Sequence, residues 1–122
     1  MPFIALLTDF GTRDGYVAAM KAVIQSICPK AAIIDISHDI APQQIAEARF
    51  TLWSVYNYFP AKTIFVCVVD PGVGTKRKII AVKTKQYTFL APGNGLLDMV
   101  LAESEVRQSV IVTNKKYFSK GY

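Results

Sequence analysis

"FIALLTDFGTRDGYVAAMKAVIQSICPKAAIIDIS", residues 3–37, decides the fold. The run FIALLT (3–8) is apolar throughout and too short for a helix, so it reads as a buried strand. DFGTRDG (9–15) interrupts it with the residues of a loop. Val17, Met20, Val23, Ile24 and Ile27 then recur on one helical face, and Pro29 stops that helix. AAIIDIS (31–37) is a second apolar run and a second buried strand. A strand, a helix and a strand in this order predict parallel pairing through a right-handed crossover.

The same alternation continues outward. Pro42 in HDIAPQQ suits a helix start, and Ile45, Ala48, Leu52, Val55 and Phe59 repeat at helical spacing up to Pro60. TIFVCVV (63–69) is the most apolar strand. IIAVKT (79–84) and YTFLAP (87–92) read as a hairpin about Lys85 and Gln86. NGLLDMVLAE (94–103) predicts a short helix and QSVIVT (108–113) a last strand, while NKKYFSKGY (114–122) has no periodicity. The order β-α-β-α-β-β-β-α-β predicts an α/β three-layer sandwich, a largely parallel central sheet flanked by helices.

Composition narrows the function classes. The 122 residues fit one domain, and 52% hydrophobic against 19% charged residues allows a packed core. The net charge of +5 is scattered. TKRK (75–78) and NKK (114–116) are too short for a nucleic-acid arm and read as solvated loop ends, so no nucleic-acid partner is expected. Cys28 and Cys67 stand far apart without CxxC spacing, which predicts reduced core thiols. No apolar stretch reaches membrane-spanning length, and the opening run is broken by Asp9 without a basic region before it. The expectation is a cytoplasmic protein with no membrane partner.

In a sheet of this kind, ligands sit where the carboxyl ends of strands meet loops. The first strand delivers Thr8, Asp9 and Asp14 there, and the second Ser37, His38 and Asp39. The third delivers Asp70 and, across its loop, Arg77, and the fifth apolar run delivers Asn94. Asp9 suits either a turn satisfied by backbone N–H groups or a carboxylate accepting from two neighbouring hydroxyls. Asp14 adjoins the helix start and reads first as a capping residue. His38, the only histidine, has no acidic or cysteine partners at ligand spacing, so no metal is expected and a hydrogen-bonded strand-end role is favoured. Asp35 lies within a strand and needs a partner.

VVDPGVGTKRK (68–78) imitates a phosphate loop without being one. No Ser or Thr follows its lysine, no helix follows the loop, and the Asp70 carboxylate would repel phosphate. Pro71 and the glycines turn the chain sharply enough to bring Arg77 back toward Asp70. The two form either an ion pair bracing the loop or a pair that positions a water.

These motifs occur together and in order: LLTDFGTRDGYVAAMKAVI, IIDISHDIAPQQIAEA, YFPAKTIFVCVVDPGVGTKR and FLAPGNGLL. Together they resemble the adenosine-forming S-adenosylmethionine hydrolase family, relatives of the fluorinase and chlorinase, over most of residues 3–118. The resemblance implies attack of water-derived hydroxide at the ribose 5′ carbon of S-adenosylmethionine, with methionine leaving. It implies no metal and no cofactor beyond that substrate. Asp9 matches the carboxylate that holds the ribose hydroxyls, with Asp14 and Asn94 also on the substrate side. Asp70 and Arg77 match two members of a water-activating Asp-Arg-His triad. The halogenating relatives carry tyrosine at the place of Asp70, and the fluorinase a threonine at that of Val73, so both positions point to the hydrolase branch.

The departures from the family are as informative. Gly93 stands where the family has an acidic residue or asparagine. The triad histidine belongs to a later segment with no counterpart in these 122 residues, and His38 is not that residue. Nor do these 122 residues include a counterpart of the small C-terminal β-barrel domain that the resemblance implies. The expectation is an N-terminal S-adenosylmethionine-binding domain at 1–118 with a tail at 119–122, impaired in catalysis and in a family of homotrimers. The alternative is a non-catalytic module that binds adenosine or S-adenosylmethionine.

Overall fold

The computed structural model describes residues 2–42, 44–69 and 78–112. Strand β1 (Phe3–Thr8) is buried from Ile4 onward and occupies the middle of the sheet. Helix α1 (Tyr16–Ile27) leads to β2 (Ala32–Ser37). Helix α2 (Ile45–Val55) and one 3-10 turn, Tyr56–Tyr58, lead back to β3 (Ile64–Val68). Strands β4 (Ile79–Thr84) and β5 (Thr88–Pro92) form the hairpin, and α3 (Asp98–Ala102) precedes β6 (Val106–Val112).

The six strands lie in the order β2-β1-β3-β5-β4-β6. β1 pairs in parallel with β2 and β3, and β3 in parallel with β5. β4 runs antiparallel to both β5 and β6, so it alone opposes the rest. The chain leaves β1 for one side and returns to the other. The strand order therefore reverses between β1 and β3, the point at which sheets of this kind ordinarily take a ligand outside their carboxyl ends.

Alternation along the strands separates two apolar layers. Ala5, Leu7, Phe65, Cys67, Phe89 and Ala91 face α2 and α3, where Ala48, Leu52, Leu96 and Val100 close the main core. Phe65 and Phe89 stack with ring centroids 4.9 Å apart, and Tyr87 meets both edge-on. Burial of each of these large side chains contributes about 1.5–3 kcal/mol. Ile4, Leu6, Ile64 and Val66 face the other way, toward Met20 and Ile24 of α1.

The predicted order of elements is the observed one, and several details differ. Val23 and Ile27 do not join the buried face of α1: they are 53% and 79% exposed. β2 is an edge strand and only half-buried, because one side of it has no neighbour. α2 begins at Ile45, three residues beyond Pro42, which sits in a turn. Phe59 packs on the core from beyond the helix, and Tyr56 enters the core at the 3-10 turn. α3 covers only the second half of the expected stretch, with Asn94–Leu97 forming the turn before it.

Candidate functional site at the strand ends

The carboxyl end of β1 is held from below by a chain of polar side chains. The Thr8 hydroxyl, fully buried, lies 2.7 Å from His38 Nδ1. His38 Nε2 lies 2.7 Å from Asp35 Oδ1, and Lys21 Nζ of α1 donates to Asp35 Oδ2 at 2.7 Å. Burial raises the Asp35 pKa, but the hydrogen bonds from Lys21 and His38, with the charge of Lys21, outweigh it and hold the carboxyl below its usual value. Asp35 thus has the partners that its strand position demands, although it is more exposed than a core carboxylate.

The same contacts fix the loop that carries Asp9. The Phe10 N–H donates to Thr8 Oγ1 at 3.2 Å, and the Gly11 N–H to the His38 carbonyl at 2.6 Å. Gly11 adopts a φ of +73°, which a residue without Cβ accepts freely. Asp9 is therefore half-buried in a turn anchored on both sides, at the reversal point of the sheet. The register between β1 and β2 shifts just there, between Leu6 and Leu7, as at many functional strand ends.

Asp14 and Asn94 have structural partners. Asp14, exposed, accepts the Tyr16 N–H at 3.1 Å and so secures the start of α1. Asn94 follows β5; its Nδ2 donates to the Val69 carbonyl at 2.9 Å, and its Oδ1 accepts the Leu96 N–H at 3.1 Å. Its side chain ties the end of β5 to the end of β3. Asp70 and Arg77 fall in residues 70–77, outside the described residues. β1, β3 and β5 are adjacent, so Asp9, Val69 and Asn94 share one edge of the sheet.

Sequence reading passed over two contributors. Arg49 of α2 donates from Nε to the Gly95 carbonyl at 2.8 Å, bracing the Asn94 turn. Its position four residues beyond Ile45 was the available signal. Thr8 was named only as a strand-end residue, and nothing in its neighbours announces the contact with His38, 30 residues away.

Two cavities lie away from these strand ends. One of about 290 Å³ is lined by Tyr56, Lys85, Tyr87 and Glu103, among others. Another of about 500 Å³ is lined by Lys62, Ile64, Lys83 and Thr88. Both sit where β3 and β5 begin, the opposite edge from Asp9, and neither includes Asp9, Asp14 or Asn94. In sheets of this kind ligands ordinarily bind outside the carboxyl ends of the strands, at such a reversal point. Among the described residues, no group of three His, Cys, Asp or Glu side chains could hold a metal ion. No helix there is long and apolar enough to cross a membrane.

Comparison with known proteins gives the same family as the motifs. A (R)-S-adenosyl-L-methionine hydrolase from Methanocaldococcus jannaschii is 39% identical, covering 96% of this chain and 46% of its own length. A fluorinase from an Actinoplanes species is 30% identical, covering 94% of this chain and 46% of its own. Among solved structures, an uncharacterized conserved protein from Thermotoga maritima superimposes with a TM-score of 0.87 at 43% identity. That match covers 93% of this chain and 44% of the other. The chain thus spans less than half the length of these relatives. The model of the SAM hydroxide adenosyltransferase N-terminal domain matches residues 4–121, and the chain belongs to that family.

Proposed function

We propose that this chain is the S-adenosylmethionine-binding half of an enzyme that hydrolyses S-adenosylmethionine to adenosine and methionine. The observation that carries the reading is the placement of Asp9, on an anchored turn at the reversal point between β1 and β3. A carboxylate so held accepts hydrogen bonds from the two ribose hydroxyls, as acidic residues do at this point in nucleotide-binding sheets. Relatives named as hydrolases and fluorinases support the same substrate class.

In the proposed reaction a water oxygen bonds to the ribose 5′ carbon as the bond from that carbon to sulfur breaks. The electron pair of the broken bond goes to sulfur, which turns the cationic sulfonium into the neutral thioether of methionine. The water gives up its proton to solvent, and Asp70 and Arg77, which match the family's water-activating residues, are the groups proposed to act on it. The leaving group is already activated by its charge, so the protein's task is to position water and substrate. Asp70 favours water over halide as nucleophile, because its negative charge repels an anion.

A second reading is a module that binds adenosine or S-adenosylmethionine without turnover. The commitment of His38 favours it: the sole histidine is 5% exposed with both ring nitrogens engaged, and is not free to activate water. Incubating the 122-residue chain with S-adenosylmethionine and following adenosine by chromatography separates the two. The expected outcome is weak or absent turnover. Brisk turnover lost in Asp70→Ala would defeat the expectation of impairment. Calorimetric binding of adenosine that Asp9→Ala abolishes, with no product formed, supports the binding module. Failure of the intact chain to bind either molecule removes both readings.

A further inference from the structure

His38 lies outside the chemistry proposed above, yet it is buried and shares two contacts with the loop that carries Asp9. We propose that His38 is the positioning residue for Asp9, held as its Nε2–H tautomer by Asp35 and Lys21 and acting through Thr8. The proposal rests on the assignment of Asp9 to the ligand.

Proton accounting leads to the tautomer. Asp35 Oδ1 is an acceptor, so the nitrogen facing it, Nε2, carries hydrogen. Thr8 Oγ1 already accepts the Phe10 N–H, and its own proton needs an acceptor inside a fully buried site. His38 Nδ1, 2.7 Å away, is that acceptor. A proton on Nδ1 would leave the Thr8 hydroxyl hydrogen without one. Lys21 keeps the Asp35 carboxylate charged, which keeps Nε2 as the donor. Donation thus runs from the Phe10 N–H, on the peptide following Asp9, through Thr8 and His38 to Asp35, where Lys21 donates from the other side. The His38 carbonyl takes the next N–H, that of Gly11. The two peptide N–H groups that follow Asp9 therefore answer to one residue just past β2, and the orientation of Asp9 depends on it.

Substitution separates this role from simple filling of space. Asn places its Oδ1 as many bonds from the backbone as His Nδ1 and cannot reach Asp35. Gln reaches toward Asp35 and has no acceptor at the Nδ1 place. Adenosine is the probe, titrated by calorimetry into the 122-residue chain. His38→Gln and Thr8→Val are expected to weaken binding about tenfold, the effect of one buried polar group left unpaired. His38→Asn and Thr8→Ser, which keep the Thr8 contact, are expected to restore most of the affinity. Unchanged binding in His38→Gln and Thr8→Val, where the unsubstituted chain binds, overturns the proposal.

The unsubstituted protein supplies an independent reading that needs neither variant nor ligand. As the chain has one histidine, its imidazole nitrogens are assigned without ambiguity by nitrogen-15 NMR. The expected spectrum shows hydrogen on Nε2 and a hydrogen-bond acceptor at Nδ1, with the Phe10 amide protected from exchange. Hydrogen on Nδ1, or a Phe10 amide that exchanges freely, overturns the proposal. Should the unsubstituted chain fail to bind adenosine, the ligand assignment falls, and the NMR result alone decides the role of His38.

Discussion

The chemistry of single residues divides by what surrounds each one. Cys67 is fully buried between β-sheet and α2, and burial alone pushes its thiol up to about 12. The thiolate is the reactive form, so Cys67 is inert in the folded protein, whereas Cys28 is only half-buried at the end of α1. A thiol reagent is therefore expected to titrate Cys28 in the native chain and both cysteines after denaturation. Native-state labelling of Cys67, read by peptide mass, would contradict the packing. The two glycines around Asn94 divide in the same way. Gly95 has a φ of +90°, and a Cβ there would lie 3.2 Å from Asp98 Oδ2 and 3.3 Å from Arg49 Nη2. Gly95→Ala is expected to cost about 1 kcal/mol or more, from backbone strain together with displacement of Arg49. Gly93 lacks both problems: the nearest atom to an added Cβ is the Lys78 carbonyl oxygen at 3.6 Å. Gly93→Asn is expected to stay within about 0.5 kcal/mol of the parent. Urea denaturation of both variants checks the contrast, and an equal loss in each would defeat it.

At the scale of elements, the lasting tie between α1 and β2 is the Lys21–Asp35 pair, continued to β1 through His38. The folded Asp35 pKa lies below its unfolded value, so the tie adds stability above that unfolded value, near 3.8. The contribution is lost as pH falls through the lower, folded value. Asp35→Asn is expected to melt earlier than the parent near neutral pH, and to lose less of its melting temperature on acidification. Because the Asp35 side chain is 40% exposed, solvent screening keeps the difference small. Parallel melting curves across the acid limb would show that Asp35 is not the sensor. The elements themselves were legible from the sequence, since short apolar runs alternate with helical spacing and are punctuated by Pro29 and Pro60. What escaped depended on neighbours distant in the chain. Val23 and Ile27 carry the helical pattern, yet it is Met20 and Ile24 that pack on the sheet while these two stay exposed. β2 is as apolar as a central strand, and only the sheet order shows it at an edge. The site divides similarly. Asp9 and Asn94 were legible as strand-end polar residues, whereas the Thr8–His38 contact spans 30 residues and left no local trace. Asn94 was expected at the ligand, and its amide also joins β5 to β3.

Among the described residues of the whole molecule, the two faces of the sheet are unevenly covered. The α2 and α3 face is covered across β1, β3, β5 and β4, while α1 packs on the β2, β1 and β3 region of the other face. Register carries that second face onward: Val66 neighbours Leu90, Leu90 neighbours Ala81, and Ala81 neighbours Val110. Among the described residues no helix lies over this part of the sheet, where Ala81, Lys83, Thr88, Gln108 and Val110 line a shallow cavity of about 210 Å³. β6 ends the sheet with Val106, Val110 and Ile111 each nearly half exposed. Sheets that are largely parallel are ordinarily covered on both faces, and an open apolar edge strand pairs with other chains. The 122-residue chain is therefore expected to self-associate as its concentration rises. Two lysines should oppose this, one on each face of β6: Val110→Lys on the uncovered side and Ile111→Lys on the other. Sedimentation velocity over a concentration series reads the outcome, with far-ultraviolet circular dichroism confirming that the double variant keeps its strands. Association by the parent that the double variant lacks places the contact on β6. A parent that stays monomeric at every concentration shows that this half-covered sheet stands in water without a partner.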